Sequence, residues 1–146
     1  MIEITELKSE ADFHRVYPLM HQLRNQLSES DYLQLVKEAK QMQNYRLFAL
    51  HVENQAVSLV GFMPMTTLYY GRFIWVCDLV TDKAQRSRGY GKKLLDFVHE
   101  WCIEQGYSTI ALSSGLQRKE AHRFYEMKAG YKRVSYVFKK TMENHG

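Results

Sequence analysis

The tightest constraint in this chain is a short basic turn, Arg86-Ser87-Arg88-Gly89-Tyr90-Gly91, set between two apolar runs of different period. Ahead of it, Phe73–Thr81 is β-branched and aromatic and predicts a buried strand. Behind it, Leu94, Leu95, Val98, Trp101 and Cys102 recur at helical spacing. Glycines let the backbone come close to a ligand and turn its amides outward, because no Cβ intervenes. The first amides of the helix lack intrahelical partners and carry the positive end of the dipole. Arg86, Arg88, Lys92 and Lys93 add formal charge around this nest. The ligand expected here carries phosphates.

Two common phosphate motifs are absent. A nucleotide P-loop ends in Lys-Ser/Thr so that a hydroxyl can hold magnesium, whereas Gly91 is followed by Lys92-Lys93 and no hydroxyl. A dinucleotide turn needs a third glycine three residues after the second, and position 94 is Leu. What remains is Arg-x-x-Gly-x-Gly directly after a strand.

That pattern resembles the pyrophosphate loop of the GNAT superfamily, the acyl-coenzyme A-dependent N-acetyltransferases. Glu120-Ala-His-Arg-Phe-Tyr-Glu126 followed by Ala129-Gly130-Tyr131 is similar to the helix and turn that members place after their fifth strand. Between Gly91 and Tyr125 there is room for one helix, one strand (Ser108 to Ser113) and a loop. The resemblance spans the chain. It implies an α/β (α+β) fold, a single domain over 1–146, and a mixed, mostly antiparallel sheet flanked by helices. It also implies strands 4 and 5 splayed apart into a pantetheine slot between Leu79–Thr81 and Ile110–Ser113.

Local signals agree with that layout. Ile2–Leu7 predicts a strand. Ser9 and Asp12 form a capping box ahead of a helix whose face is Phe13, Val16, Tyr17, Met20, Leu23 and Leu27. Pro18 should bend or split it. A second helix is expected from Asp31 to Gln43, with Tyr32, Leu35, Val36, Ala39 and Met42 inward. Strands at Arg46–Val52, Ala56–Thr67 and Phe73–Thr81, joined by Glu53-Asn54-Gln55 and Tyr69-Tyr70-Gly71, predict antiparallel pairing. Gly106 and Gly130 suit helix C-caps. A last strand is expected around Val134–Phe138, and a loose end at Met142–Gly146.

At 146 residues one domain can bury its own core. No run is long and apolar enough to span a bilayer, and no leader pattern opens the chain, so a cytoplasmic protein without membrane association is expected. Cys77 and Cys102 read as buried reduced thiols, and no metal-ligand spacing accompanies them. The net charge of +4 gathers near the turn and the later helix, where a phosphorylated carrier would lie, so nucleic acid is not the expected partner.

The resemblance assigns chemistry as well. Acetyl-CoA is the expected cosubstrate. Arg86, Ser87, Arg88, Gly89, Tyr90, Gly91 and Lys92 would hold its pyrophosphate, and backbone groups of Leu79, Val80 and Thr81 its pantetheine amides. An amide near Leu79 or Val80 would donate to the thioester carbonyl. Tyr125 matches the family tyrosine that protonates the departing thiolate, a task suited to a phenol with a reference pKa of about 10. Relatives often carry a strand-4 Glu as base. Here Trp75 and Cys77 take those offsets, and Asp78 is the carboxylate left on the strand, either a base or a buried structural group. Arg118 stands where many members have Asn and is a further candidate for a phosphate contact.

The expected reaction is direct transfer of acetyl from acetyl-CoA to a primary amine of a small molecule or peptide in a ternary complex. A non-catalytic CoA-binding sensor or interaction module is the alternative. Tyr17, His21, Arg24, Asn25, Tyr32, Tyr69, Tyr70 and Arg72 are the candidate acceptor walls, with Arg24 and Arg72 suited to an anionic group on the acceptor. A monomer or homodimer is expected.

Overall fold

A computed structural model describes residues 1–143, so the expected loose end falls mostly outside them. The chain divides into two compact units, Met1–Leu112 and the remainder from Ser113.

In the first unit a five-stranded sheet runs in chain order: β1 (Ile2–Leu7), β2 (Arg46–Val52), β3 (Gln55–Thr67), β4 (Gly71–Thr81) and β5 (Ile110–Leu112). The first four strands pair antiparallel through adjacent hairpins. The β2–β3 turn places Glu53 and Asn54 at positive φ (49° and 66°), and β5 joins β4 in parallel.

Helices cover both faces. Ser9 accepts from the Asp12 amide and Asp12 returns the bond to the Ser9 amide, which starts α1 (Glu10–Arg15). Pro18 occupies the first turn of the separate helix α2 (Tyr17–His21), where its missing N–H costs nothing, so the expected split is realised. Then α3 (Glu29–Gln43) is capped by Ser28. Its inner stripe is narrower than its periodicity predicts. Tyr32 and Val36 are buried, while Leu35 and Met42 are 48% and 76% exposed. Phe13, Val16, Met20, Tyr32, Val36 and Tyr45 pack on Leu47, Ala49, Leu59 and Val80.

On the opposite face, α4 (Tyr90–Glu104) sends Leu94, Leu95, Val98 and Cys102 into the core, with Trp101 edge-on to Phe62 and Phe97 against Phe48. Gly106, at φ +86°, ends this helix. Its amide bonds Ile103 O and the next amide bonds Cys102 O, a Schellman closure.

Arg46 ties the sheet edge together. Its guanidinium donates to both oxygens of Glu6 (2.9 and 3.0 Å) and lies over the Trp101 ring. Burial alone would raise the Glu6 pKa, yet the Arg46 hydrogen bond and charge leave it below its ordinary 4.5. A lowered folded value means the unfolded carboxylate protonates first as pH falls. The stabilisation is therefore complete above about pH 4.5 and is lost as pH falls through the folded value. The parent's advantage over Glu6→Gln in urea midpoint should be present at neutral pH and shrink through that acid window.

The second unit contains α5 (Lys119–Arg123), which continues into a π-helical turn, Phe124–Lys128. Gly130 follows at φ +78°, as its assignment to a cap requires. The expected last strand is not formed among the described residues: 132–143 adopt no regular structure. Val134, Tyr136, Val137 and Phe138 are all more than two-thirds exposed. β-propensity without a paired neighbour does not make a strand.

Candidate active site

The site begins where the sheet opens. β4 pairs with β5 through Ile74↔Ile110, Trp75↔Ala111 and Val76↔Leu112, and the pairing stops there. β4 itself continues to Thr81, still held by β3 on its other side. Strands 4 and 5 therefore part as expected, but with one correction. Ile110–Leu112 lie opposite Ile74–Val76, not Leu79–Thr81, so the free stretch of β4 is Cys77–Thr81.

A bulge marks the departure. Gly61 faces Asp78 while Phe62 faces Val76, which leaves Cys77 as the extra residue. A bulge bends its strand and re-aims the neighbouring side chains. Cys77 packs against the core formed with α1–α3, and Asp78 meets groups from the same side. Tyr45 donates its hydroxyl to Asp78 Oδ2 (2.7 Å), and Arg24 donates Nε to Asp78 Oδ1 (2.9 Å) and Nη2 to the Cys77 carbonyl (2.7 Å).

Burial, then the Asp78 charge and hydrogen bond, push the Tyr45 phenol well above its ordinary range, so it stays protonated and donates. Gly61 makes room for this. A Cβ there would overlap the hydroxyl end of Tyr45, 1.8 Å from its oxygen. Burial also pushes the Cys77 thiol up to about 12, with Asp78 adding to the effect. At neutral pH that sulfur is a poor nucleophile.

Past Thr81 the chain turns toward α4. Asp82 accepts from the Ala84 amide and opens a 3-10 turn, Lys83–Gln85. Ser87 and Gly89 then take left-handed conformations (φ 67° and 79°) around Arg88. Gly89 is the residue before α4, and no side chain caps that helix. Gly91 sits under Thr81, whose Oγ1 would lie 3.2 Å from a Cβ there. That hydroxyl also meets the fully buried Ser58 (2.9 Å), which bonds the Val80 carbonyl.

Successive amides through left-handed residues into an uncapped helix form an anion-receiving concavity. Arg86, Arg88, Lys92 and Lys93 are exposed around it, and Lys92 is paired with Asp96 (2.8 Å).

The other predicted groups lie in the second unit. Arg118 precedes α5 and is exposed. His122 bonds the Gly115 carbonyl through Nε2 (2.7 Å), closing the loop before its own helix. Tyr125, not Phe124, is the buried member of the pair (8% exposed), with Phe124 and Tyr131 edge-on around its ring.

Among the acceptor candidates, Tyr32 is a core residue, 2% exposed, bonded to the Phe13 carbonyl. Tyr17 bonds the Leu27 carbonyl. Arg24 is committed to Asp78 and Cys77, not left for an acceptor anion. Sequence reasoning missed Tyr45, Gly61 and Gln22. The first two read as an ordinary core aromatic and a strand glycine. Gln22, whose amide bonds Asp82 and Lys83, lies 60 and 61 residues from these partners.

Comparison with known proteins completes the assignment. The model of the acetyltransferase (GNAT) family matches residues 12–131. The uncharacterised N-acetyltransferase YhdJ of Bacillus subtilis (strain 168) is 43% identical over 141 residues, 96% of this chain and 99% of the relative. A transcriptional regulator from Bacillus halodurans C-125 shares the fold at TM-score 0.81 and 25% identity, covering 97% of this chain and 100% of its own. The aminoglycoside N-acetyltransferase AAC(6')-Iy, solved in complex with CoA, shares it at TM-score 0.85 and 14% identity, over 99% of this chain and 96% of that one.

A mixed sheet that opens at β4 and leads into a strand–turn–helix cradle is the arrangement of an acyltransferase. The chain belongs to the acetyltransferase (GNAT) family.

Proposed function

We propose that the chain, as one catalytic domain over 1–146, moves acetyl from acetyl-CoA to a primary amine of a small molecule or peptide by direct attack in a ternary complex. The observation that carries this reading is that the end of β4 left unpaired by β5 leads, through the 3-10 turn, into the left-handed turn at Ser87–Gly91. The turn amides, with Arg86, Arg88 and Lys92, hold the pyrophosphate. Leu79, Val80 and Thr81 present backbone groups to the pantetheine, and an amide at Leu79 or Val80 donates to the thioester carbonyl. Holding donor and acceptor in line supplies up to about 7–11 kcal/mol toward the barrier.

Asp78 uses one acceptor position on each oxygen for Arg24 and Tyr45. A carboxylate oxygen accepts twice, so each retains a lone pair for an incoming ammonium or a bridging water. Asp78 thus steers the amine and takes its proton. Tyr125 returns a proton to the leaving thiolate, and Arg118 adds a phosphate contact. Both free cysteines accord with a reducing, cytoplasmic setting.

Thiol release from acetyl-CoA with an amine panel tests the reading. Tyr125→Phe should lower kcat by about 10²-fold with little change in donor affinity. Asp78→Asn should move the alkaline rise of the pH–rate profile. Incubation with acetyl-CoA alone should leave no acetyl adduct on Cys77 by mass spectrometry. An adduct there, or full activity in Tyr125→Phe, would replace this mechanism with a covalent relay or another acid.

A further inference from the structure

One three-residue segment, Gln22–Arg24, reaches both ends of the free part of β4. Arg24 takes the near end through the carbonyl of the bulged Cys77 (2.7 Å) and the Asp78 carboxylate (2.9 Å). Gln22 takes the far end: its carbonyl accepts from the Lys83 amide (3.0 Å) and its NH₂ donates to Asp82 Oδ1 (3.3 Å). Asp82 is the residue that opens the 3-10 turn leading to Ser87 and Gly89. The segment is itself anchored, since the amides of Leu23 and Arg24 both bond the carbonyl of buried Met20.

The need for such a fastening is physical. Beyond Val76, β4 has lost its ladder on the β5 side, and the bulge weakens the ladder on the β3 side. A strand edge that must offer amides to a ligand would otherwise be ordered at the ligand's expense, and preorganisation removes that cost. Neither bracket touches the turn amides or the places assigned above to the donor.

We propose that Gln22 and Arg24 are positioning residues for the acyl donor, a two-point brace that fixes Cys77–Lys83 before acetyl-CoA arrives. The inference rests on the function proposed above. Gln22 carries the sharper test because it is exposed, and its truncation leaves the core untouched.

Gln22→Ala should weaken acetyl-CoA binding by about three- to tenfold by calorimetry. Arg24→Met, which releases two charged hydrogen bonds, should weaken it by about tenfold or more. Gln22→Glu should be worse than Gln22→Ala, because it sets a carboxylate against Asp82. Adding Asp82→Asn to Gln22→Glu removes the like-charge contact and should return affinity to about that of Gln22→Ala. A merely destabilising change would not be rescued in this way. In donor-free protein, amide exchange over Cys77–Gln85 should speed up in Gln22→Ala.

Parent-like affinity in Gln22→Ala, or no recovery in the double variant, overturns the brace whatever Arg24→Met does. A parent that fails to bind acetyl-CoA overturns the function itself and the brace's purpose with it. Amide exchange in the donor-free protein then reports separately whether the fastening exists.

Discussion

Replacing Gly89 with glutamate is expected to abolish acetyl-CoA binding, a loss of at least about 10²-fold, while the chain still folds. Gly89 holds φ at +79°, and a side chain there costs about 1–2 kcal/mol of backbone strain. A Cβ meets nothing within 4 Å, so no clash adds to that cost. A carboxylate beside the first turn of α4 returns about 0.3–1 kcal/mol through the helix dipole. Net destabilisation is small, and the melting temperature should fall by only a few degrees.

Binding suffers differently, because the new charge enters the concavity proposed for the pyrophosphate, and like charges in contact cost several kcal/mol. Gly89→Ala is the control. It carries the same strain without the charge, and its affinity should stay within about tenfold of the parent. Calorimetry on both variants, with melting curves alongside, separates the two effects. Retained affinity in Gly89→Glu would remove the turn from the donor site.

The largest stability effect is expected at Gly61. An alanine Cβ would lie 1.8 Å from the Tyr45 hydroxyl oxygen and 2.4 Å from the ring carbon that bears it, and Tyr45 is only 6% exposed. Overpacking of this kind costs about 1–3 kcal/mol, and expelling the ring also breaks the Tyr45–Asp78 bond at about 1–3 kcal/mol more. Gly61→Ala should therefore lower the unfolding free energy by about 2–6 kcal/mol, seen as a shift in urea midpoint. In a Tyr45→Ala background the same substitution should cost under about 1 kcal/mol, since its obstacle is gone. An equal cost in both backgrounds would mean that Gly61 matters through its own backbone instead.

These two glycines show what the sequence disclosed and what it hid. Gly89 was legible because its neighbours declare it: a basic turn, a strand before and an amphipathic helix after. Strand bounds, the capping box at Ser9 and the break at Pro18 were legible for the same reason, since each depends on residues within a few positions. Gly61 was not legible, because its necessity comes from Tyr45, sixteen positions away. The fastening of Asp78 by Arg24, and of Asp82 by Gln22, joins segments more than fifty residues apart and leaves no local pattern. The last strand was misread in the opposite direction. Val134–Phe138 has strand composition, and composition says nothing about whether an edge is available to pair with.

Chain order in the sheet has a consequence for synthesis. β1 to β4 are consecutive hairpin neighbours, so residues 1–81 can assemble as a meander before β5 has emerged from the ribosome. Its open edge, β4, receives β5 only after about thirty more residues have been added. During that interval the nascent chain displays the full edge of β4, Ile74–Val76 included, to any strand nearby, its counterpart on a neighbouring polysome among them. The edge proposed above to receive the cosubstrate is thus open to intermolecular pairing until β5 arrives.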